Sequence, residues 1–293
     1  MTVLCLVDDD PASLEALTFA WKLVAQSHEV QALTLGGEYA PEAWAQAVVE
    51  VAAEVVVAAG NDRGSEVMAH VAARLDAPLA ANCVDARVDG DSLLLTRQRW
   101  GGSLLEEARL LGSPKLLTVA PHTVAANGVA TNVTELTPMI DEGVRVRVTR
   151  REQPEAGTVR LDTARVVVGG GRGVGSAEGF ALLEELAGLL GGAVGGSRVV
   201  TNLGWRPHAD QVGQTGARIA PDLYIACGIS GAIQHIVGCK AAKRILVINK
   251  DEHAPIVARA DYAVVGDLHE IIPALVAELR KAKGAAESAA AAP

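Results

Sequence analysis

Aromatic residues are scarce in this chain, at 3% of 293 residues, although apolar residues make up 49%. The core must therefore be built mainly from Ala, Val, Leu and Ile, and the length suggests two domains or one large one. No apolar run reaches membrane-spanning length. The opening MTVLCLVDDD lacks the basic and long apolar regions of a signal peptide. The sequence predicts a soluble cytoplasmic protein.

Cysteine is also rare, and none of the four cysteines forms a C-x-x-C pair. This spacing disfavours a zinc ribbon or an iron–sulfur site. Cys5 and Cys227 lie in predicted buried strands, where a free thiol behaves as a small apolar residue, and that usage suits a reducing compartment. The net charge of −9 argues against nucleic acid or an anionic membrane as the main partner.

Several common catalytic motifs are missing from the sequence. There is no Walker loop, no H-E-x-x-H and no G-x-S-x-G. What the sequence does contain is a regular alternation of short apolar runs and helical patterns. That alternation predicts an α/β fold with mainly parallel, doubly wound sheets.

In the first half, Ser13 is predicted to cap the first helix. A hairpin is predicted where Ala86–Val88 and Ser92–Arg99 flank Asp89-Gly90-Asp91, and such antiparallel additions often cap an edge of a parallel sheet. The best candidate for a polar site in this half is Asn61-Asp62-Arg63-Gly64, which is predicted to be a loop. The predicted strands are Val3–Val7, Val30–Leu35, Val55–Ala59, Pro78–Val84, Leu116–Val119 and Val144–Val148, and the predicted helices are Leu14–Ala25, Pro41–Ala53 and Glu66–Leu75.

A charged segment without apolar periodicity, Arg150–Thr158, has the composition of a linker. It predicts an N-terminal domain over 1–153 and a second α/β domain over 154–293. Up to the first residue of this segment, Arg145, Arg147 and Arg150 interleave with valines, which indicates an exposed strand face or a contact with a partner subunit. The second domain is predicted to contain strands Val166–Val168, Leu223–Cys227, Ile245–Ile248 and Tyr262–Val265, helices Ala181–Leu190 and Leu268–Lys283, and a frayed tail Gly284–Pro293.

The stretch Gln211–His235 organises the second domain. Two polar, glycine-bearing turns, Gln211–Gly216 and Gly228–Gln234, flank the apolar run Leu223–Cys227. Glycine permits a close backbone approach, while hydroxyl and amide side chains offer hydrogen bonds. The pattern predicts a buried polar ligand, and the backbone N–H groups after Ser230 favour phosphate or another electron-rich group.

A glycine-rich segment, Gly169–Gly175, follows a predicted strand and precedes a helix, as a dinucleotide-binding loop would. Ser176 stands where the third glycine of the fingerprint belongs, and Glu184 and Glu185 come too early for the ribose partner. A nicotinamide-dependent dehydrogenase of Rossmann type is therefore an alternative with imperfect spacing. A structural or regulatory subunit with a relic pocket is a third possibility.

Five ordered blocks resemble the alpha subunit family of electron transfer flavoproteins: GGRG at Gly170–Gly173, SR at Ser197-Arg198, VGQTG at Val212–Gly216, SGAIQH at Ser230–His235 and INKD at Ile248–Asp251. The resemblance implies a Rossmann-like FAD-binding domain and electron carriage rather than substrate turnover. It also implies a heterodimer with a beta subunit, which would hold AMP or a second FAD. Acyl-CoA or other dehydrogenases, as in fatty acid β-oxidation, would donate electrons, and a quinone oxidoreductase or similar acceptor would receive them.

The resemblance also implies roles for individual residues. Arg172 would pair with the FAD pyrophosphate, and Arg198 would place positive charge near the isoalloxazine ring. His235 would donate a hydrogen bond to the pyrimidine edge of the flavin. Ser230 would cap a helix and touch phosphate or ring. The full set of implied FAD-binding residues is Arg172, Ser197, Arg198, Val212, Gly213, Gln214, Thr215, Ser230, Gly231, Ala232, Ile233, Gln234, His235, Asn249, Asp267 and Leu268.

Most of these residues also have an ordinary structural interpretation. Taken alone, Ser197-Arg198 would be a turn with a surface arginine, and His235 among apolar neighbours would be a satisfied core histidine. Asp267 is suited to cap the last helix. The N-terminal domain is expected to dock the beta subunit and to support the FAD domain.

Overall fold

The computed structural model describes residues 1–24, 29–127, 132–140, 148–150 and 159–290. The chain divides into two compact units, Met1–Glu152 and Gln153–Pro293. Each unit contains its own sheet and its own apolar cores.

The first unit is built on an eight-stranded sheet in the order β6-β5-β4-β7-β3-β1-β2-β8. Its strands are β1 (Val3–Leu6), β2 (Val30–Leu35), β3 (Val55–Ala59), β4 (Leu79–Asp89), β5 (Ser92–Arg99), β6 (Leu104–Leu110), β7 (Lys115–Val119) and β8 (Val133–Leu136). Its helices are α1 (Pro11–Val24), α2 (Pro41–Glu50) and α3 (Asp62–Leu75).

The sheet of the first unit is covered on both faces. Phe19 of α1 belongs to one apolar core, and Trp44 of α2 and Met68 of α3 belong to the other. Strands β4, β5 and β6 pair antiparallel at one edge, while the other pairs are parallel. The predicted doubly wound sheet with an antiparallel edge is confirmed.

The second unit has a five-stranded parallel sheet in the order β10-β9-β11-β12-β13. Its strands are β9 (Val166–Gly170), β10 (Ala193–Gly196), β11 (Leu223–Cys227), β12 (Ile245–Asn249) and β13 (Tyr262–Val265). Its helices are α4 (Phe180–Leu190), α5 (Arg198–Asn202), α6 (Ile233–Cys239) and α7 (Leu268–Ala290).

Side chains that alternate along these strands belong to two apolar cores, one on each face of the sheet. Tyr224 and Val167 face one side together with Cys239 of α6. Val168 and Ile225 face the other side, against α4 and α7. Strands buried on both faces are typical of a parallel sheet with helices on both sides, so this unit is also doubly wound.

The predicted start of α1 and the predicted ends of α2 and α7 are wrong. Helix α2 ends at Glu50 rather than Ala53. Helix α1 begins at Pro11 rather than Leu14, because proline fits the first turn and the Asp10 carboxylate accepts from the Ala12 N–H at 2.9 Å. Ser13 therefore lies inside the helix, where its hydroxyl bonds Asp8 and the Asp10 carbonyl. Helix α7 runs on to Ala290, where the sequence predicted a frayed tail.

The predicted loop Asn61–Gly64 is largely helical. Asn61 is the N-cap of α3, and its side chain accepts from the Gly64 N–H at 2.8 Å. Strands β6, β8 and β10 and the short helix α5 were not predicted. The predicted strand Val144–Val148, with Arg145 and Arg147, and the segment Arg150–Thr158 lie almost entirely outside the described residues.

All four cysteines are free and buried, as predicted for Cys5 and Cys227. Burial raises the pKa of Cys5 well above its ordinary value. Burial also raises the pKa of Cys83, Cys227 and Cys239 to about 12. Within the described parts of the chain, no helix combines the length and apolar character needed to cross a membrane.

The Asn61 cap can be tested by replacement with alanine. Asn61 satisfies a backbone donor of α3 and also donates to Asp10 Oδ2 at 3.0 Å. We expect Asn61→Ala to lower the free energy of unfolding by about 1 kcal/mol, the usual effect of losing an N-cap. Urea-induced unfolding measures the change. Ser65→Ala, at an exposed position of the same helix, is the matched control, and equal stability of the two variants would contradict the cap.

Candidate functional site

The site lies where strand order reverses in the second unit. Strand β9 is followed along the chain by β10 on one side, whereas its neighbour on the other side is β11. In open α/β sheets this switch point, at the carboxyl ends of the strands, is where ligands bind.

Glycines bring the two loops at the switch point into direct backbone contact. The Gly171 N–H donates to the Cys227 carbonyl at 2.9 Å, and the Gly173 N–H donates to the Gly228 carbonyl at 3.0 Å. A Cβ atom at Gly171 would lie 2.3 Å from the Gly228 oxygen, and one at Gly173 would lie 2.7 Å from the Gly228 Cα. Any side chain at either position would push the loops apart.

A cavity of about 560 Å³ opens beside this contact. That volume is within the ~300–1,000 Å³ typical of small-molecule sites. The residues that line it come from the segments that follow β9, β10, β11 and β12 along the chain. Of the predicted site residues, the structure brings thirteen to this cavity: Arg172, Ser197, Arg198, Val212, Gly213, Gln214, Thr215, Ser230, Gly231, Ala232, Gln234, His235 and Asn249.

Three predicted site residues do not line the cavity. Ile233 is exposed at the start of α6. Leu268 is buried in the core under α7. Asp267 caps that helix by accepting from the His269 N–H at 2.9 Å, and it pairs with Lys250 at 2.8 Å. The predicted capping role of Asp267 is confirmed, while a role of these three residues at a ligand stays a prediction.

The two polar turns predicted to cooperate do meet. The Gln214 N–H donates to the Gln234 carbonyl at 2.8 Å. Gly213 has a φ of +156°. A Cβ atom at Gly213 would lie 3.2 Å from the Gln234 carbonyl oxygen. A Cβ atom at Gly238 of α6 would lie 2.4 Å from Gly213. The first turn is thus pressed onto α6 by contacts that require glycine on both sides.

Gln211 lines the cavity, although the sequence reasoning did not single it out as a site residue. Its side chain is buried, with 1% exposure. Its Nε2 donates to Thr215 Oγ1 at 3.0 Å, and its Oε1 accepts from Thr201 Oγ1 at 3.0 Å. Gln211 therefore fixes the hydroxyl of Thr215 at the cavity wall. Its position at the start of the polar turn was the available signal.

Positive charge dominates the cavity wall. Arg172 and Arg198 are both exposed, and neither side chain has an ion-pair or hydrogen-bond partner within the part of the chain that the structure describes. Asp251 is the acidic residue in the wall. Two guanidinium groups with free donors are suited to bind a phosphate or pyrophosphate group, because a guanidinium can donate to its oxygens in pairs.

The structure assigns a local role to Asn249 and corrects the capping role predicted for Ser230. Asn249 Nδ2 donates to the Ile229 carbonyl at 2.8 Å and its Oδ1 accepts from the Asp251 N–H at 3.1 Å, so Asn249 holds two lining loops together. Ser230 was predicted to cap the following helix, and that is wrong. Helix α6 begins after Ala232 and has no side-chain cap, because Ser230 lies too far before its first turn.

His235 is buried in the wall, with 6% exposure. Its Nε2 lies 2.8 Å from the hydroxyl of Tyr224 on β11. Its Nδ1 is buried and has no hydrogen-bond partner among the described residues. Burial lowers the pKa of His235 to about 4, and the backbone of Val212 acts in the opposite direction. The imidazole is therefore neutral at physiological pH.

Comparison with known proteins gives two matching family descriptions. Residues 160–240 match the electron transfer flavoprotein FAD-binding domain, and residues 37–156 match the electron transfer flavoprotein domain. The first range contains the cavity residues from Gly171 to His235.

Curated relatives match over most of their length. The chain is 38% identical to an electron transfer flavoprotein subunit alpha of Thermoanaerobacterium thermosaccharolyticum, with 84% of this chain and 78% of the relative covered. It is 37% identical to Protein FixB of Clostridium saccharobutylicum, with coverage of 88% and 79%. It is 43% identical to the subunit alpha of Mycobacterium tuberculosis, with coverage of 79% and 73%.

The burial of neutral His235 predicts a pH dependence of stability. The pKa of His235 is about 4 in the folded chain and about 6.5 in the unfolded chain. Between these values the unfolded state binds the extra proton, so the stability due to a neutral His235 is present above pH 6.5 and is lost as the pH falls toward 4.

Replacing His235 with glutamine removes this titration. Between pH 7 and pH 5 we expect the wild type to lose about 2 kcal/mol more stability than His235→Gln. Denaturant unfolding at both pH values measures the free energy of unfolding of each protein. The other histidines contribute equally to both proteins, so their effect cancels in the comparison. Parallel pH profiles of the two proteins would show that His235 is not held neutral by burial.

Proposed function

Because the chain belongs to the electron transfer flavoprotein alpha subunit family, we propose that it is the FAD-bearing subunit of a two-subunit electron carrier. It binds FAD and carries electrons, as the family does. The observation that carries the proposal is the cavity at the strand switch point, whose wall falls largely within the matched FAD-binding range.

The residues at the cavity fit this cofactor. Binding of a pyrophosphate requires positively charged side chains and a backbone that can approach closely. The wall provides Arg172, Arg198 and the glycine contact between Gly171 and Gly228. We propose that Arg172 binds the pyrophosphate and that Arg198 lies near the isoalloxazine ring. Bound FAD supplies the redox chemistry.

The polar turns supply the neutral contacts. We propose that Gln214 and Thr215 bind the ring and ribityl chain, that Ser197 and Ser230 bind nearby polar groups, and that Asn249 contacts the nucleotide part. The backbone of Val212, Gly213, Gly231, Ala232 and Gln234 would form the remainder of the wall. The predicted hydrogen bond from His235 to the pyrimidine edge stays a prediction, because Nε2 bonds Tyr224 here.

We further propose that the chain converts no substrate itself. Acyl-CoA or other dehydrogenases would supply electrons, as in fatty acid oxidation, and a quinone oxidoreductase or similar acceptor would receive them. The nicotinamide dehydrogenase alternative has no support among the family matches. Buried free cysteines support a reducing, cytoplasmic location.

The first unit is the candidate docking domain for a beta subunit, which would hold AMP or a second FAD. Its antiparallel edge carries exposed apolar side chains where β5 passes into β6: Trp100 is 80% exposed and Leu105 is 67% exposed. Trp100 also has a φ of +50°, a conformation that is costly for a bulky residue. Exposed apolar groups held in a fixed turn support a partner interface.

FAD binding is tested by the visible spectrum of the protein purified together with a beta subunit. We expect a flavin absorption band and release of FAD on denaturation. Gly171→Ala should lose most of this FAD, because its Cβ atom would meet the Gly228 oxygen at 2.3 Å. Gly188→Ala, whose Cβ atom meets nothing within 4 Å, is the matched control. Bound NAD instead of flavin, or no chromophore after refolding with FAD, would refute the proposal.

The placement of Arg198 predicts the direction of a potential change. Its positive charge stabilises negative charge that develops on reduction of the flavin. Arg198→Gln should therefore lower the reduction potential, by about 30 mV for each ~1.4 kcal/mol lost over two electrons. Potentiometric titration measures this in flavin-replete protein. Arg198→Lys keeps the charge and should stay near wild type, while an unchanged potential in Arg198→Gln would contradict the placement.

A further inference from the structure

We propose that Tyr224 is a positioning residue for the FAD site: its hydroxyl donates to His235 Nε2 and thereby fixes the neutral imidazole with its proton on Nδ1. Only its role toward the cofactor rests on the proposed function above. The hydrogen bond and the tautomer are properties of this chain alone.

The direction of the hydrogen bond follows from the surroundings. Tyr224 is fully buried, and the contact with Nε2 at 2.8 Å is the hydrogen bond that the structure gives to its hydroxyl. If Nε2 donated instead, the phenol proton and the unprotonated Nδ1 would both be buried without a partner, whereas donation from Tyr224 leaves one such group, the Nδ1 N–H. Donation from Tyr224 satisfies the phenol and leaves the imidazole proton on Nδ1.

A glycine in the strand next to Tyr224 leaves room for the phenol. Gly169 of β9 pairs with Ala226 of β11. A Cβ atom at Gly169 would lie 2.2 Å from the Tyr224 hydroxyl oxygen and 2.8 Å from the carbon that bears it. The hydroxyl therefore reaches His235 through space that only glycine leaves open. The same strand leads into the loop that carries Arg172.

Among the residues that the structure describes, few other ionisable groups lie near this pair. Burial holds the pKa of Tyr224 well above its ordinary value, and the nearby thiols of Cys239 and Cys227 act in the same direction. Across the cavity wall stand Arg172, Arg198 and Asp251. The pair is thus a neutral, fixed dipole set into a wall whose charges lie on other elements.

Nitrogen NMR of the full chain labelled with ¹⁵N-histidine tests the assignment directly. For His235 we expect Nδ1 to show the shift of a protonated nitrogen and Nε2 that of an unprotonated one. His235→Gln identifies the signals among those of the seven histidines. A protonated Nε2 in the wild type would overturn the proposal, whether or not FAD is bound.

Tyr224→Phe removes only the donor. We expect the His235 signals to move toward a mixture of tautomers and FAD to bind about threefold to tenfold more weakly. Tyr262→Phe, at an exposed tyrosine of the same sheet, should change neither readout. Gly169→Ala, which displaces the hydroxyl while keeping both side chains, should shift the His235 signals as Tyr224→Phe does.

The outcomes separate the two proposals. Unchanged His235 signals in Tyr224→Phe would overturn the role of Tyr224 while leaving FAD binding by the wild type intact. A wild type that shows the expected tautomer but takes up no FAD would instead refute the proposed function. A tautomer shift in Tyr224→Phe with unchanged FAD affinity would overturn the positioning role toward the cofactor.

Discussion

The backbone contact between the loops after β9 and β11 is the constraint on which the second unit depends. Gly171 and Gly173 donate to the carbonyls of Cys227 and Gly228, and none of these contacts leaves room for a side chain on the glycines. Because these hydrogen bonds hold the two loops together at the switch point, the cavity lies beside the loop contact and does not pass between the loops. The guanidinium groups then lie on the rim, where an anionic group can reach them.

The remaining wall is built by similar means. Gly213 and Gly238 let the polar turn lie against α6, and Gln211 fixes that turn from within through Thr201 and Thr215. Asn249 ties the loop after β12 to the loop after β11. Each loop of the site is therefore anchored to a strand end by backbone or amide hydrogen bonds. Such anchoring lets a site made of loops be largely formed before its ligand binds.

Much of this arrangement could be predicted from the sequence, since strands such as Val55–Ala59 and Leu223–Cys227 are short apolar runs between turn residues. The residues of the two polar turns were identified because glycine, amide and hydroxyl groups are concentrated there. The starts of α1 and α3 were not predicted correctly because they depend on side-chain hydrogen bonds of Asp10 and Asn61, which composition does not reveal. Strand β10 is half glycine and carries no periodic signal. The Tyr224–His235 contact joins residues eleven positions apart, and only the fold brings them together.

The four buried thiols have a consequence for a protein that handles electrons. Sulfur reacts with peroxide and with disulfides as thiolate, and burial keeps Cys83, Cys227 and Cys239, with pKa values of about 12, in the thiol form. Peroxide formed when a reduced carrier meets dioxygen would thus find few reactive thiolates among these cysteines. They fill the core as small apolar residues instead.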